Sequence, residues 1–511
     1  SHADLNEYSK DRYFADRRLW GGFLDNPSLG GAFRSQRRNR AADVRVRLGF
    51  LEAGFTYQRL SSGYGNEYPG DRSQNDVIWS RPDTSFFLRA QKALSPAVSS
   101  STLLRYRTSG VSNDSYFVES LPDFDASDRP VQTVQLSYWQ ALNSSWSLFQ
   151  DFEVRPAALP ALSLNLGFKY EQKDLQKAYD TNYGPAVPAG VVNASTYPYP
   201  AAPTESSVNQ NRTITKDTGG YLQVKLRFGG PHQVNVGVRS DHNSQYGAAA
   251  TLRAGYVGDF GAWGVKALYG EAFQEPNPRL LYGGWTGSGS DPNLEPERSR
   301  TYEISGSYKS KGLSGLASVY VVKNSDTLVN TAGGARNLGD RTVTGADVHF
   351  QALVPVRGLS TLRLWAYYSH LFGAKEDQPG GSGQIGDLAR DTLLAGATAT
   401  PLRNLSATLR GRFVGRRETV ASNPVGAVAS YITLDATVAG TDLLVPGLGL
   451  TLAVTNLLDR GYAHPGVRDA GSGQVRGAFG PSGAWIGSRS YYSSLLPQPG
   501  RGATLTMTVA F

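Results

Sequence analysis

The sequence lacks cysteine altogether and has a single methionine among its 511 residues. Without thiols the chain can form no disulfide, no thiolate zinc site, no cysteine nucleophile and no iron–sulfur cluster. It also lacks any uninterrupted apolar run near the ~20 residues that a membrane-spanning helix requires. The first residues, Ser1 to Leu5, contain neither an initiator methionine nor an apolar signal segment. We therefore expect a processed or truncated product.

Charged side chains are scarce as well, at 18% against the roughly 25% of ordinary globular chains. Aromatic residues reach 11%, and 58 glycines and 27 prolines indicate many turns. The formal net charge is +8, which alone would suggest nucleic acid as a partner. Because the basic residues are spread over many segments instead of being gathered in one arm, we expect no nucleic acid to bind.

A period-two alternation of apolar and polar residues over about ten positions recurs along the chain. The last segment shows it most clearly. Ala503, Leu505, Met507, Val509 and Phe511 fall on one face, and Thr504, Thr506 and Thr508 fall on the other. Such segments predict strands with one apolar and one polar face. A soluble β-sandwich shows the same alternation, so the pattern alone does not identify the solvent.

The lengths of the strands and of their connections favour a membrane. Strands of about ten residues suit a tilted crossing of a bilayer, and short connections alternate with long ones. The tight turns are predicted at residues 229–231, 310–312, 356–358 and 446–447, and the long polar loops at roughly 176–218, 274–299, 374–390 and 460–500. Short periplasmic turns and long extracellular loops are typical of outer-membrane barrels.

We therefore predict an all-β fold, a transmembrane antiparallel β-barrel of about 22 strands. The order of turns and loops is regular from Phe511 back to about residue 146. Upstream it requires an extra strand within residues 113–128, with Ser115–Val118 as the candidate. Closure requires an even number of strands, so one more is expected in or before residues 1–41. The predicted domains are an N-terminal segment, 1–41, belonging to the first strands or to an extracellular loop, and the barrel, 42–511.

Tyrosines and tryptophans cluster near the strand ends, which is typical of the aromatic girdles at a membrane surface. The alternative is that these side chains fill a soluble core. The residues concerned are Tyr138, Trp139, Trp146, Tyr269, Trp365, Tyr367, Tyr368 and Tyr431.

Arginines are concentrated near the first predicted strand, at Arg34, Arg37, Arg38, Arg40, Arg45 and Arg47. The first part of this cluster is expected near the extracellular rim, where guanidinium groups can bind lipopolysaccharide phosphates in a bidentate manner. The alternative, which the sequence favours, is a lumen-facing or solvated stretch.

Two stretches resemble the signatures of the TonB-dependent receptors. The first resembles their Ala-Phe-x-x-Pro and Asn-Leu-x-Pro-Glu elements, at Phe273, Pro276, Asn293, Leu294, Pro296 and Glu297. The second, with Asn456, Leu457 and Asp459, is similar to their closing segment before the last strand. The terminal Phe511 resembles the signal for barrel insertion. The resemblance extends from about residue 160 to residue 511, and Asn337 to Asp347 is a weaker match.

The resemblance implies a bacterial outer-membrane transporter for a scarce large nutrient such as a ferric siderophore, haem or cobalamin. Uptake would be driven by TonB acting through a plug domain. No plug is visible in the sequence, so we expect it either to precede Ser1 in the intact product or to be a separate chain. Outer-membrane lipid, lipopolysaccharide and envelope proteins at the loops are further expected partners. A passive porin-like channel, or a structural or secretion barrel, remain the alternatives.

No catalytic constellation is evident, so we expect a protein that is not an enzyme and has no cofactor. The six histidines show no metal-ligand spacing such as His-x-x-x-His. Calcium binding by Asp291, Glu295 and Glu297 is a further alternative, but the family resemblance explains these residues better.

The residues most suited to capturing a ligand are the aromatics of the long loops. Tyrosine and tryptophan supply rigid contact area with a polar tip, which suits planar or catecholate-like ligands. The candidates are Tyr179, Tyr183, Tyr282, Trp285, Trp485, Tyr491 and Tyr492.

Overall fold

The computed structural model describes residues 37–62, 79–124, 130–177, 179–183, 187–188, 211–282, 291–331, 334–378, 381–419, 426–443, 445–465, 475–479, 485–489 and 495–509. These ranges consist almost entirely of β-strands, with one short helix. No helix in this part of the chain is both long and apolar enough to span a membrane.

The helix, α1, covers Pro278–Tyr282. The strands in chain order are β1 (Arg37–Leu48), β2 (Leu51–Ser62), β3 (Trp79–Ser95), β4 (Val98–Phe124), β5 (Pro130–Val154), β6 (Leu162–Gln176), β7 (Asp180–Tyr183), β8 (Val187–Pro188), β9 (Arg212–Phe228), β10 (His232–Asn243), β11 (Gly247–Phe260), β12 (Trp263–Gln274), β13 (Glu297–Lys309), β14 (Leu313–Thr331), β15 (Gly334–Val354), β16 (Thr361–Gln378), β17 (Gly381–Gln384), β18 (Asp391–Leu402), β19 (Leu405–Val414), β20 (Arg417–Glu418), β21 (Ala427–Val428), β22 (Tyr431–Thr441), β23 (Leu448–Thr455), β24 (Ala463–Pro465), β25 (Val475–Phe479), β26 (Trp485–Arg489), β27 (Leu495–Pro497) and β28 (Gly502–Val509).

One antiparallel sheet contains 22 of these strands. Each long strand pairs with the long strands before and after it in the sequence, from β1 with β2 through to β23 with β28. Three members, β7, β8 and β17, are segments of two to four residues that attach to β5 and β16. This up-and-down order is that of a membrane β-barrel, and the predicted fold class is confirmed.

The predicted pattern of short turns and long loops is also confirmed. Tight turns follow β9, β13, β15 and β22, and glycines in the left-handed region form the first of them, at Gly229 (φ 56°) and Gly230 (φ 77°). The long connections follow β6, β12, β16 and β23. All of the long connections therefore lie at one end of the sheet, which is the end predicted to be extracellular.

The strands β1 and β28 are the two edges of the described sheet, since β1 pairs only with β2 and β28 only with β23. They run in the same direction, because β1 and β28 are the first and last of 19 long strands, an odd number, that alternate in direction. An antiparallel barrel therefore requires one further strand of the opposite direction. The predicted additional strand would lie mainly in residues 1–36, which are outside the described residues. The predicted domain boundary between residues 41 and 42 falls within β1.

The prediction of an extra strand within residues 113–128 was wrong. Ser115–Val118 lies inside β4, which is 27 residues long and continues to pair with β5 beyond a bulge between Val111 and Ser115. A bulge adds residues to one strand without ending its pairing. The bulged residues, Ser112-Asn113-Asp114, have the composition of a turn, which explains the misassignment.

One face of the sheet presents large apolar side chains in continuous rows across the strands. Two such rows on β1 to β4 are Val46–Ala53–Leu88–Leu104 and Val44–Phe55–Phe86–Tyr106. The Phe55 and Phe86 rings are 4.8 Å apart, yet most of these side chains remain exposed. A soluble protein rarely exposes so large an apolar surface, so we assign this face to lipid.

The opposite face, which lines the lumen, carries cross-strand and same-strand ion pairs. They include Arg45–Asp43 at 2.9 Å, Arg89–Glu52 at 3.7 Å, Lys169–Glu171 at 3.0 Å and Arg341–Glu376 at 2.6 Å. Exposed ion pairs contribute little stability, but they leave the lumen polar and lined with charges of both signs.

Only part of the predicted aromatic girdle lies on the lipid face. Trp146 pairs with Tyr106, Tyr269 with Tyr302, and Tyr368 with Val348 on that face. Trp365 and Tyr367 lie on the lumen face, whereas Trp139 and Tyr431 are buried. Successive residues of a strand point to opposite faces, so adjacent Tyr367 and Tyr368 cannot both belong to a girdle. The side chain of Tyr138, eight residues before Trp146 on β5, is half-buried.

The assignment of the two faces can be tested on adjacent leucines of β4. Leu104 faces lipid between Leu88 and Leu148, and Leu103 faces the lumen between Arg89 and Phe149. We expect Leu104→Arg to lower the free energy of unfolding in lipid vesicles by about 2–4 kcal/mol, because it places a charge near the midplane. Leu103→Arg is the matched control and should have a much smaller effect. Equal losses in the two variants, measured by urea titration, would contradict the assignment.

Candidate functional site

The connection between β12 and β13 folds into a small apolar cluster of its own. Leu281 of α1, Leu294 and Ala335 are 4%, 2% and 1% exposed, and Leu280, Tyr282 and Leu328 pack against them. Leu294 comes from the Asn-Leu-x-Pro-Glu element, and Ala335 from the start of β15. The cluster therefore anchors this extracellular loop to the neighbouring β14–β15 hairpin.

Hydrogen bonds fix the rest of this element. The backbone N–H of Asn293 donates to Asp291 Oδ1 at 2.9 Å, and that of Leu328 donates to Glu297 Oε1 at 2.5 Å. Asn337 accepts from Glu295 N at 2.9 Å and donates back to Glu295 O at 2.8 Å. The carboxylates of Asp291 and Glu297 therefore accept hydrogen bonds from backbone N–H groups of this region. Among the described residues, no group of three or more metal-ligating side chains is placed to hold a metal ion.

Tyr282, a predicted ligand-binding residue, ends α1 above this cluster. Its hydroxyl donates to Gln245 Oε1 at 2.5 Å, in the turn between β10 and β11. The Lys177 ammonium, just beyond β6, lies 5.4 Å from the centre of the Tyr282 ring. A cation at this distance over an aromatic face is attracted by the ring quadrupole. Three connections that are distant in sequence thus meet at Tyr282.

Tyr179, a second predicted residue, lies two positions after Lys177 and joins two tryptophans. Its ring is 5.4 Å from Trp139 and 5.8 Å from Trp79, and the tryptophans are 6.1 Å apart. Trp139 is only 5% exposed. The sequence did not identify Trp79 or Trp139 as part of a site, since residues so far apart carry no local signal of their contact.

The segment that carries Lys177 and Tyr179 is held by amide side chains. Gln176 Oε1 accepts from Leu142 N at 2.6 Å, and Gln176 N donates to Asn143 Oδ1 at 2.8 Å. Gln176 also donates to Asp180, which accepts a second hydrogen bond from Asn211 at 3.1 Å. These contacts fix the positions of Lys177 and Tyr179 relative to the sheet.

A charged network lies beneath the loop, on the lumen side. The Lys173 ammonium binds Asp217 at 2.8 Å and Glu275 at 2.9 Å, and Glu275 immediately follows β12. Asn243 donates to Asp217, and the Tyr246 hydroxyl lies 3.5 Å from it. Burial and the negative charge of Glu275 raise the pKa of Tyr246, so it remains a neutral donor. The network ties the base of the α1 loop to the wall formed by β6, β9 and β10.

The second signature region also holds the backbone. Asn456 is buried, adopts φ 48°, and its Nδ2 donates to Arg460 O at 3.0 Å and to Pro499 O at 3.3 Å. Its N–H donates to Asp435 Oδ1 at 2.9 Å. Asp459 Oδ1 accepts from Arg501 N at 2.7 Å, and Leu457 N donates to Leu434 O at 2.6 Å. The element replaces strand pairing where β23 ends.

The chain matches a known family along most of its length. The model described as "TonB dependent receptor-like, beta-barrel" covers residues 3–457. The chain belongs to the TonB-dependent receptor family. The fold, the sequence resemblance and the expectation that the protein is not an enzyme are thereby confirmed, because this family consists of receptors and transporters. A comparison with curated proteins found no match.

Solved structures of TonB-dependent receptors share the fold. A mutant of the ferric enterobactin receptor from Pseudomonas aeruginosa is 14% identical, with a TM-score of 0.63, 95% of this chain covered and 71% of that one. The copper transporter OprC is 14% identical, with a TM-score of 0.64 and coverage of 94% and 72%. The siderophore receptor PirA from Acinetobacter baumannii is 11% identical, with a TM-score of 0.64 and coverage of 96% and 73%.

The remaining predicted residues of this TonB-dependent receptor are only partly described. Phe273 lies near the end of β12, and Pro276 and Pro296 are buried in the loop beyond it. Tyr183 and Trp485 lie on β7 and β26, and their side chains are outside the described residues. Trp285, Tyr491, Tyr492 and Phe511 are also outside the described residues.

A cluster of ring side chains around the buried Arg417 lies beyond the start of β22. Arg417, from the β20–β21 hairpin, donates to Ala463 O at 3.1 Å and lies 5.9 Å from the centre of the buried Tyr431 ring. The Tyr431 hydroxyl and His464 Nε2 are hydrogen-bonded at 3.1 Å, and the ring of Tyr462 lies 4.2 Å from that of Tyr431, tilted by 30°. Burial, followed by the positive charges of Arg417 and Arg412, lowers the pKa of His464. A neutral His464 therefore joins the two loop segments.

Replacing Asn456 tests its role as a backbone anchor. We expect Asn456→Ala to lower the free energy of unfolding by about 2–4 kcal/mol, because buried backbone groups lose their partners. Asn456→Gly loses the same hydrogen bonds but accepts φ 48° without strain, so it should be more stable than the alanine variant by about 1 kcal/mol. Urea unfolding of both variants measures the two contributions. A wild-type free energy in the alanine variant would refute the role.

Acidification should weaken the cluster around His464. The unfolded chain takes up a proton near the ordinary pKa of 6.5, whereas the folded protein resists protonation to lower pH. Stability is therefore complete above pH 6.5 and is lost as the pH falls from there towards the lowered pKa. His464→Gln can accept the Tyr431 hydrogen bond but does not titrate, so its stability should depend less on pH in this window. Parallel stability–pH curves for the two proteins would count against this interpretation.

Proposed function

We propose that this receptor imports a scarce, large nutrient in the form of a planar or aromatic anionic chelate. A ferric siderophore of the catecholate type fits best, with haem and cobalamin in the same class of cargo. The observation that carries the proposal is the position of Lys177 over the Tyr282 ring, two residues from the Tyr179–Trp139–Trp79 cluster.

The chemistry of these side chains suits such a chelate. Aromatic faces stack on planar ligands, and a neighbouring ammonium neutralises the negative charge of the ligand. The predicted aromatics of the other loops, Tyr183, Trp285, Trp485, Tyr491 and Tyr492, would extend the same surface.

The loop that presents Tyr282 is rigid at its base, which supports a role in capture. Leu294 anchors it in an apolar cluster, and the Lys173–Glu275 pair fixes the point at which the chain leaves β12. Pre-organised side chains lose less entropy when a ligand binds. Beneath the loop, the lumen carries charged pairs that suit the passage of a polar chelate.

The solved structures that share the fold support the same class of cargo. Of the three named above, one is a ferric enterobactin receptor, one is a siderophore receptor and one is a copper transporter. At identities of 11–14% they support the class and not the identity of the ligand.

The proposed transport cycle needs a plug within the barrel and TonB acting on that plug from the periplasm. In this proposal the plug is supplied either in cis or as a separate chain. In this proposal residues 1–41 complete the first strands or an extracellular loop, and residues 42–511 form the barrel in the outer membrane. Envelope proteins that contact the loops are further candidate partners.

Uptake of a ferric catecholate by cells producing the intact receptor tests the proposal. We expect Tyr282→Ala to reduce the affinity for the chelate about tenfold, the effect of losing roughly 1.4 kcal/mol of ring contact. Tyr282→Phe should retain most of the affinity, because it keeps the ring beneath Lys177. Gln245→Ala is the matched control, since it removes the hydrogen bond to Tyr282 and leaves the ring in place.

The alternatives give different results in the same cells. TonB-independent uptake, together with ion conductance of the purified protein in a planar bilayer, would favour a passive porin-like channel. Envelope proteins that co-purify on the loops, with no chelate bound, would favour a structural or secretion barrel. Unchanged affinity in Tyr282→Ala would remove Tyr282 from the proposed site.

A further inference from the structure

The structure divides the arginine cluster of the first strand between the two faces of the sheet. Arg45 and Arg47 share the lumen face with Asp43, whereas Arg38 and Arg40 point to the lipid side. The sequence favoured a lumen-facing or solvated stretch for the whole cluster. Arg45 and Arg47 lie on the lumen face, as that interpretation expects, whereas Arg38 and Arg40 are exposed on the outer face.

The two pairs also differ in their counter-charges. Arg45 binds Asp43 at 2.9 Å, and Arg47 lies opposite Glu52 across the β1–β2 ladder. Arg40, in contrast, lies opposite another arginine, Arg59. Arg59 forms an ion pair with Asp114. Within the described ranges, no carboxylate lies in ion-pair distance of Arg38 or Arg40.

Like charges directly opposite each other destabilise an antiparallel pair. The Arg40–Arg59 pair, with Arg38 two residues further along β1, therefore places three guanidinium groups on one face of the β1–β2 pair. Within the described ranges, the carboxylate of Asp114 forms an ion pair with Arg59 alone. An anionic group from outside the described chain would remove this repulsion.

The height of these arginines on the barrel indicates where that anion comes from. The apolar row Val44–Phe55–Phe86–Tyr106 is followed, one step towards the loops, by Ala42–Tyr57–Thr84–Thr108. The next step along β1 and β2 is Arg40–Arg59. Two residues advance a strand by about 6.6 Å, so the face changes from mainly apolar to hydroxyl-bearing to cationic within two steps. This is the order of hydrocarbon, interface and headgroup in a bilayer.

We propose that Arg38, Arg40 and Arg59 form a binding site for the phosphate groups of outer-leaflet glycolipid headgroups. Guanidinium groups bind phosphate through two parallel N–H···O bonds, and they do so best where water is partly excluded. The apolar rows below the site receive the acyl chains of the same lipid. This site is independent of the cargo proposed for the lumen and loops.

Binding of lipid A to the purified full-length receptor in detergent, followed by native mass spectrometry, tests the proposal. The probes are bisphosphorylated lipid A and its dephosphorylated form. We expect the double variant Arg38→Ala/Arg40→Ala to bind the bisphosphorylated lipid about tenfold or more weakly, because two charge-assisted contacts are lost. The variant Arg45→Ala/Arg47→Ala removes the same charge from the lumen face of the same strand and should bind like the wild type.

A third variant, Arg38→Lys/Arg40→Lys, separates charge from geometry and guards against misfolding of the alanine variant. It should bind with intermediate affinity, since lysine keeps the charge but not the bidentate fork. Equal losses in the outward and lumen variants would overturn the proposal. So would equal binding of the two lipids, or displacement of the lipid by millimolar inorganic phosphate, which would assign the arginines to a free anion.

Discussion

Pairing of backbone groups is the constraint on which the rest of this structure depends. In hydrocarbon no water can bind an unpaired N–H or C=O, so each must find a partner in the sheet. The described part of the chain meets this requirement by pairing each long strand with its sequence neighbours, and only the outer edges of β1 and β28 have no described partner strand. The side chains of the strands are then left to serve two environments, lipid on one face and lumen on the other. The long connections gather at one end, where water again satisfies the backbone.

Where strand pairing stops, side-chain amides and carboxylates take its place. Gln176 exchanges hydrogen bonds with Leu142 and Asn143 just beyond the last paired residues of β5 and β6. Glu297 accepts from Leu328 N, next to the register shift between β14 and β15. Beyond the end of β23, the N–H of Asn456 donates to Asp435 and its side-chain amide donates to Arg460 O. Two of these three residues belong to the family signature, so the signature marks the places at which the ladder ends.

The sequence predicts much of the sheet and little of the loop end. Period-two alternation and glycine turns follow from local geometry, so the strands from β9 to β28 and their turns could be predicted. The bulge at Val111–Ser115 could not, because its residues have turn composition and only the pairing with β5 shows that the strand continues. Proximity of an aromatic to a strand end did not reveal its face either. Trp139, expected in a girdle, packs against Tyr179 because a connection after β6 folds back over it.

Some loop residues hold the loops to the sheet, and others are free to contact a ligand, which limits where ligand recognition can occur. Leu294, Glu297 and Asn456 are occupied in holding the loops to the sheet, so substituting them would alter the loops before it altered any contact with a ligand. We therefore expect ligand specificity to depend on side chains that the anchoring residues position but that form no hydrogen bonds to the loop backbone. The ring of Tyr282 is an example. Strand geometry likewise assigns the arginines of β1 to different faces. The register that directs Arg45 to the lumen directs Arg40 towards the proposed headgroup site. The register of the β1–β2 ladder thus determines which of these arginines face the lumen and which face the outer surface of the barrel.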